Sequence, residues 1–221
     1  FVWATGFYHG KRLTVLSTGI GTDNIDIVMT ELDALANIDF NTREVKAEHR
    51  TLTILRIGTS GAIQPEIPLG AFITSEISIG CDGLLNWYSD RDSIAMTDFE
   101  EAFTRHVHWD KHLPSPYFVR ASDKLIEKFK DCTYRGMTVS ASGFYGPQGR
   151  VVRQNLAMPD MIEDFESFEF GGYRMIVCHF LVFRTGYESK ECTGYYNELF
   201  HHSSSCLILS SKEVDSPHTG V

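Results

Sequence analysis

Apolar residues recur at two different periods along this chain, and the alternation between the two organises its first 175 residues. Residues 3–8 and 12–17 are β-rich runs separated by His9-Gly10-Lys11, a pattern that predicts a hairpin. The second run ends in a glycine turn, Gly19-Ile20-Gly21. Thr22-Asp23-Asn24 then reads as a helix-capping cluster ahead of Ile25, Val28, Met29, Leu32 and Leu35, which share one face of an amphipathic helix. Residues 51–57 predict an apolar strand that stops at Gly58-Thr59-Ser60-Gly61, and residues 71–79 predict another. Helices are expected over 98–106 and over 122–130, the second opening on a Ser122-Asp123 cap. Residues 138–142 read as a strand running into a glycine-rich string, and the acidic, aromatic stretch 159–170 as a partly exposed helix. Residues 176–183 suit a buried strand; after them no period is sustained, and 210–221 read as a mobile tail. Short strands alternating with helices predict an α/β fold.

Composition narrows the class. A chain of 221 residues with 43% hydrophobic content can bury one substantial core. A net charge of -9 argues against general affinity for nucleic acid or anionic lipid, whose phosphates are held mainly by Lys and Arg. An anionic substrate therefore needs a local basic pocket. No apolar run approaches the roughly 20 residues of a membrane helix, and the first residues lack the charged-then-apolar pattern of a secretory signal. The five cysteines form no Cys-x-x-Cys pair, which predicts reduced thiols and a cytoplasmic protein. His201, His202 and Cys206 do not complete a four-ligand set, so no metal is expected. His106 and His108 read as surface or interface histidines.

Three strings carry candidate chemistry. Arg56-Ile57-Gly58-Thr59-Ser60-Gly61 places a cation at the end of an apolar strand and hydroxyl residues in the turn beyond it. Turn amides, hydroxyls and a guanidinium can surround an oxyanion with charge-assisted hydrogen bonds. Read alone, the string also fits a tight turn whose Arg56 pairs with a carboxylate. Gly19-Ile20-Gly21-Thr22 offers a second glycine turn before a helix N-terminus, where partial positive charge favours anions, or simply a tight strand-to-helix connection. Phe144-Tyr145-Gly146-Pro147-Gln148-Gly149-Arg150 joins an aromatic platform to an amide and a guanidinium. Gln148 offers a donor and an acceptor and Arg150 donors only, which suits the carbonyl and imide edge of uracil as well as it suits an exposed Gly-Pro loop.

These strings, in this order and separation, resemble the nucleoside phosphorylases, and most closely the uridine phosphorylases, over residues 1–175. Ser17-Thr18-Gly19-Ile20-Gly21 is similar to the family's early glycine turn, residues 56–61 to its phosphate motif, and residues 144–150 to its uracil-reading loop. The resemblance implies a three-layer α/β/α sandwich around a mixed, partly barrel-like sheet. It implies that Gly21, Arg56 and Thr59 contact phosphate, that Ser60 and Gly61 line the nucleoside site, and that Phe144, Gln148 and Arg150 bind the base. Arg56 and Arg150 would carry the catalytic charge work. The implied partners are uridine or uracil and inorganic phosphate, with no cofactor, and the implied assembly is a homodimer or a hexamer built of dimers.

The resemblance stops abruptly. The family's Phe-Glu-Met-Glu string, which holds the ribose hydroxyls, is expected just after Tyr173-Arg174-Met175, where Ile176-Val177-Cys178-His179 stands. The family's N-terminal Gly-Asp-Pro-type strand and loop is likewise not in this sequence. The expected organisation is thus a phosphorylase-like core over 1–175 and an unrecognised C-terminal segment over 176–221. Two functions follow as alternatives: a uridine phosphorylase, or a family-like binding or assembly protein without turnover. Gln148 and Arg150 speak against a purine-specific member.

Overall fold

The computed structural model describes residues 2–19, 21–142, 161–179 and 206–211, the last six of these and residues 161–163 and 177–179 by backbone alone. In chain order the elements are β1 (Trp3–Tyr8), β2 (Lys11–Ser17), α1 (Thr22–Asn37), β3 (Ile38–Asp39), β4 (Glu44–Val45), β5 (Leu52–Ile57) and β6 (Ser60–Ala62). There follow β7 (Ile73–Gly80), α2 (Thr97–His106), β8 (Tyr117–Arg120), α3 (Asp123–Phe129), β9 (Tyr134–Ser140), α4 (Met161–Ser167), β10 (Glu169–Phe170), β11 (Tyr173–His179) and β12 (Cys206–Ser211). The chain divides into two compact units, one of residues 1–58 with 201–221 and one of residues 59–200.

The first unit is built on a four-stranded sheet in the order β1-β2-β12-β5. The expected hairpin is present: β1 and β2 pair from Trp3↔Leu16 to Tyr8↔Lys11, closed by His9 and Gly10, both at positive φ. Both φ values match the two-residue turns whose twist suits a hairpin. Helix α1 packs Val28 and Leu32 onto Leu16 of β2 and Ile54 of β5. Its N-cap is Gly21 rather than a residue of the Thr22-Asp23-Asn24 cluster, which lies inside the first turn. The strand β12 also departs from the sequence reading, because Ser210 and Ser211 belong to it and not to a tail. A run of Leu-Ile-Leu is too short to show a period of its own, and it becomes a strand where two strands offer it hydrogen-bonding partners on both sides.

The second unit holds a mixed sheet in the order β10-β11-β9-β7-β8, with β6 pairing β11. The strands β7, β9 and β11 run parallel to one another, and β6 and β8 are antiparallel to their neighbours. Register shifts between Ser75 and Ile77 and between Met175 and Val177 bend the sheet at adjacent strands, as bulges do. Its core gathers Ile77, Ile79, Met137, Val139 and Met175 with Phe99, Phe103, Phe118, Phe165 and Phe168. Phe103 stands at the centre of this aromatic set, edge-on to Phe118 and Phe168 at ring-centroid distances of 5.4 and 5.1 Å. Each such fully buried side chain contributes about 1.5–3 kcal/mol.

The acidic stretch expected to be a partly exposed helix is shorter and better anchored than its composition suggests. α4 places Phe165 in full burial, and Phe168 follows it into the core. His106 at the end of α2 fastens it further, its Nε2 lying 2.9 Å from Ser167 Oγ and 3.1 Å from the Asp164 carbonyl. That gives His106 a structural task, tying two helices at an exposed seam. No helix among the described residues is long and apolar enough to cross a membrane.

Candidate active site

In the first unit β2 and β5 each run antiparallel to β12, hence parallel to each other. Ser17 and Ile57 both pair with Cys206, so the two strands end level at one edge of the sheet. Two strand spacings of about 4.8 Å separate them, roughly 9.6 Å in all. From the end of β2 the chain enters the glycine turn, with Gly19 at φ 74° and Gly21 at φ 98°. A Cβ on Gly21 would meet nothing within 4 Å, so its conformation rather than its surroundings calls for glycine. Among the described residues no side chain caps α1, and the amides of its first turn stand at the sheet edge with the positive end of the helix dipole.

Arg56 lies in register with Leu207, which is in register with Leu16, and it shares its sheet face with Ile54. Leu16 and Ile54 are the residues that α1 covers, so Arg56 is on the helix-covered face, one step nearer the edge. Burial draws its pKa below the usual guanidinium value. An arginine remains charged even so, and a cation withdrawn from water attracts an anion more strongly than one in bulk solvent. The first unit thus brings the Gly21 turn and Arg56 to one end of one sheet.

In the second unit Tyr117, Gly80, Ser140, His179 and Ser60 form one register row across β8, β7, β9, β11 and β6. The row marks the carboxyl ends of the parallel strands, the end at which ligand crevices of α/β sheets lie. Ser60 is half-buried here and Gly61 buried, while Thr59 just before them is exposed. The same edge holds a group that sequence reasoning missed. Asp82, two residues beyond β7, accepts the Tyr117 hydroxyl at 2.9 and 3.2 Å and the Leu84 amide at 2.8 Å. Burial, and then the Asp82 charge, push the Tyr117 phenol far above its usual range. A Cβ at Gly80 would lie 2.0 Å from the Tyr117 ring, so the glycine is what admits the tyrosine. The signal is the string Gly80-Cys81-Asp82-Gly83, a carboxylate between glycines closing an apolar strand.

Phe144, Gln148 and Arg150 lie outside the described residues. Of the other candidates, Gly21 and Arg56 belong to the first unit, and Thr59, Ser60 and Gly61 to the second. A cavity of about 410 Å³ opens at the opposite, amino end of β9 and β11, lined among others by Glu76, Arg135, Glu169, Tyr173 and Arg174. Its charges are matched within the fold: Arg135 stands 3.8 Å from Glu76, Arg174 pairs with Glu66, and Glu169 is the cross-strand partner of Arg174. It does not offer the excess of positive charge that an oxyanion site requires.

In the first unit a glycine turn at a helix N-terminus and a cation near a neighbouring strand end share one antiparallel sheet, and the second unit is built on a mixed α/β sheet. Comparison gives the family. The Phosphorylase superfamily is matched over residues 1–169, and the chain belongs to it. Among similar proteins, the uridine phosphorylase of Haemophilus influenzae is 30% identical over 66% of this chain and 45% of its own length. That of Escherichia coli is 28% identical over 75% of this chain and 55% of its own. A DeoD-type purine nucleoside phosphorylase of Buchnera aphidicola is 24% identical over 75% of this chain and 70% of its own. The chain spans about half the length of the uridine phosphorylases it matches. A crystal structure of the Trypanosoma brucei nucleoside phosphorylase superposes with a TM-score of 0.65 at 23% identity, covering 92% of this chain and 71% of that one. The fold is therefore the α/β sandwich of the nucleoside phosphorylases.

Proposed function

We propose that this chain carries out reversible phosphorolysis of uridine, yielding uracil and ribose 1-phosphate. The observation that carries the reading is that the strand leading into the Gly21 turn and the strand of Arg56 end level at one sheet edge, in a chain that has uridine phosphorylases among its relatives. In this reaction the bond between the ribose anomeric carbon and the base nitrogen breaks, and a phosphate oxygen bonds to that carbon. The ribose becomes oxocarbenium-like, the electron pair leaves with the base, and little covalent help is needed. Positioning and charge stabilisation do the work. In this reading the Gly21 amide, Arg56 and Thr59 hold phosphate, and Ser60 and Gly61 line the nucleoside site. Phe144 packs on the ring, Gln148 reads its edge, and Arg150 stabilises the charge on the departing uracil. The assembly would be a homodimer or a hexamer of dimers, which measurement of particle mass in solution checks.

Uracil release from uridine, followed with and without phosphate, tests the reading. Release is expected to require phosphate and to fall about 10²–10³-fold in Arg56→Ala and in Arg150→Ala, the usual cost of removing one charge-stabilising donor. Gln148→Ala is expected to reduce selectivity for pyrimidines more than affinity for phosphate. The second reading, binding without turnover, is favoured by Ile176-Val177-Cys178-His179 standing where the ribose-holding string is expected. Uridine binding with no release in the full chain would support it and sink the first.

A further inference from the structure

The segment that the sequence left without a role lies at the head of the anion-binding edge. β12 is the inner strand of its sheet, pairing with β5 along its whole length and with β2 over Cys206–Leu209. Among the described residues β2 and β5 share no ladder of their own. What remains between them is the cover of α1, through Val28, Leu32, Leu16 and Ile54. Cys206 is the residue opposite both Ser17 and Ile57, and Leu207 is opposite both Leu16 and Arg56. The first pair of β12 therefore fixes how far apart, and at what level, the backbone leading into the glycine turn and the backbone carrying Arg56 stand.

We propose that β12 is a positioning strand for phosphate, holding the strand that leads to Gly21 and the strand of Arg56 at the separation at which one oxyanion reaches both. The inference rests on the reading of Gly21 and Arg56 as phosphate-binding residues. Across a backbone gap two strand spacings wide, charge-assisted hydrogen bonds of about 2.8 Å to one anion require the arginine side chain to reach from its strand, and the ladder sets the point from which it reaches. Direct pairing of β2 with β5 would halve that gap and close it to the anion. Loss of β12 without re-pairing would leave the hairpin of β1 and β2 tied to β5 only through a thin apolar contact. A displacement of about 1 Å at such a site is enough to cost up to about 10²-fold in rate.

The test compares substitutions at the two ends of β12 in the full chain. Leu207→Pro removes a ladder donor beside Arg56, Leu207→Gly weakens the same place while keeping the amide, and Ser211→Pro breaks the far end, opposite Leu52. Both changes at Leu207 are expected to raise the phosphate KM about tenfold or more, with the uridine KM little changed, and Ser211→Pro to leave both near wild type. Amide hydrogen exchange at Ser17, Arg56 and Ile57 is expected to quicken in the Leu207 variants. A strand that only adds stability would lower Tm alike from either end and spare the phosphate KM, and that result overturns the proposal. If the wild-type chain releases no uracil, the proposed function fails, and inorganic phosphate binding followed by calorimetry decides the positioning role instead. Affinity lost in Leu207→Gly and kept in Ser211→Pro then upholds it, while equal affinity in all variants, or no phosphate binding by wild type, overturns it.

Discussion

The two compact units divide the labour of this chain unequally. The second packs five phenylalanines and the apolar residues of three parallel strands into a continuous core. In the first, Val28 is the one buried apolar side chain among the described residues, and Trp3 and Phe7 of its edge strand are 68% and 78% exposed. Yet the thinly packed unit is the one that carries Arg56 and the Gly21 turn. Its geometry is held by backbone ladders and one helix rather than by buried volume. A ladder fixes strand ends to within a residue, whereas a core fixes them only through shape, and the proposed phosphate site would need the former.

The contrast breaks first at the core. Phe103→Ala should cost about 3–5 kcal/mol, since it removes a ring buried on all sides and leaves its cavity. Val28→Ala should cost roughly 1–2 kcal/mol, because fewer atoms are lost and the site can relax. Denaturant unfolding of both variants checks this, and equal costs would mean that the first unit is as deeply packed as the second. Gly80→Ala comes next. Its methyl collides with the Tyr117 ring at 2.0 Å, and overpacking of this kind costs about 1–3 kcal/mol. Tyr117→Phe in the same background separates the ring collision from loss of the hydrogen bond to Asp82: with the hydroxyl gone, Gly80→Ala should still destabilise.

The smallest effect concerns Glu66, whose carboxyl lies below its usual pKa through its own backbone hydrogen bond first and then through Arg174. A depressed folded-state value means that its stabilisation is present above the unfolded pKa of about 4.3 and fades as pH falls through the folded one. Both partners are more than a third exposed, so after screening the effect lies within the about 0–1 kcal/mol of surface pairs. The stability gap between wild type and Glu66→Gln should therefore be small at neutral pH, narrower in high salt, and closed in acid. A gap that widens in acid would show that the sign has been misjudged.

How far the fold was legible follows from where its information is local. The hairpin at residues 3–17 announced itself through turn residues and alternation, and α1 through helical spacing, because period and punctuation are properties of neighbouring residues. The short strands β6, β8 and β12 did not, because they carry neither a sustained alternation nor a turn signal of their own and are made strands by their partners. The same division runs through the candidate residues of each unit. Arg56, Thr59, Ser60 and Gly61 were visible as a cation, two hydroxyls and a glycine at a strand end. The pairing of Asp82 with Tyr117, 35 residues apart in the chain, was not.

The amino-acid order by itself determined the side chains available at each strand end and loop, and which family's motifs the chain bears. Tertiary structure alone decided that the last described strand lies between the first hairpin and the strand of Arg56, level with both of their ends. The physical reason is that every residue but proline offers the same backbone donor and acceptor, so which strand pairs with which is settled by the assembled sheet and is only faintly marked in the side chains.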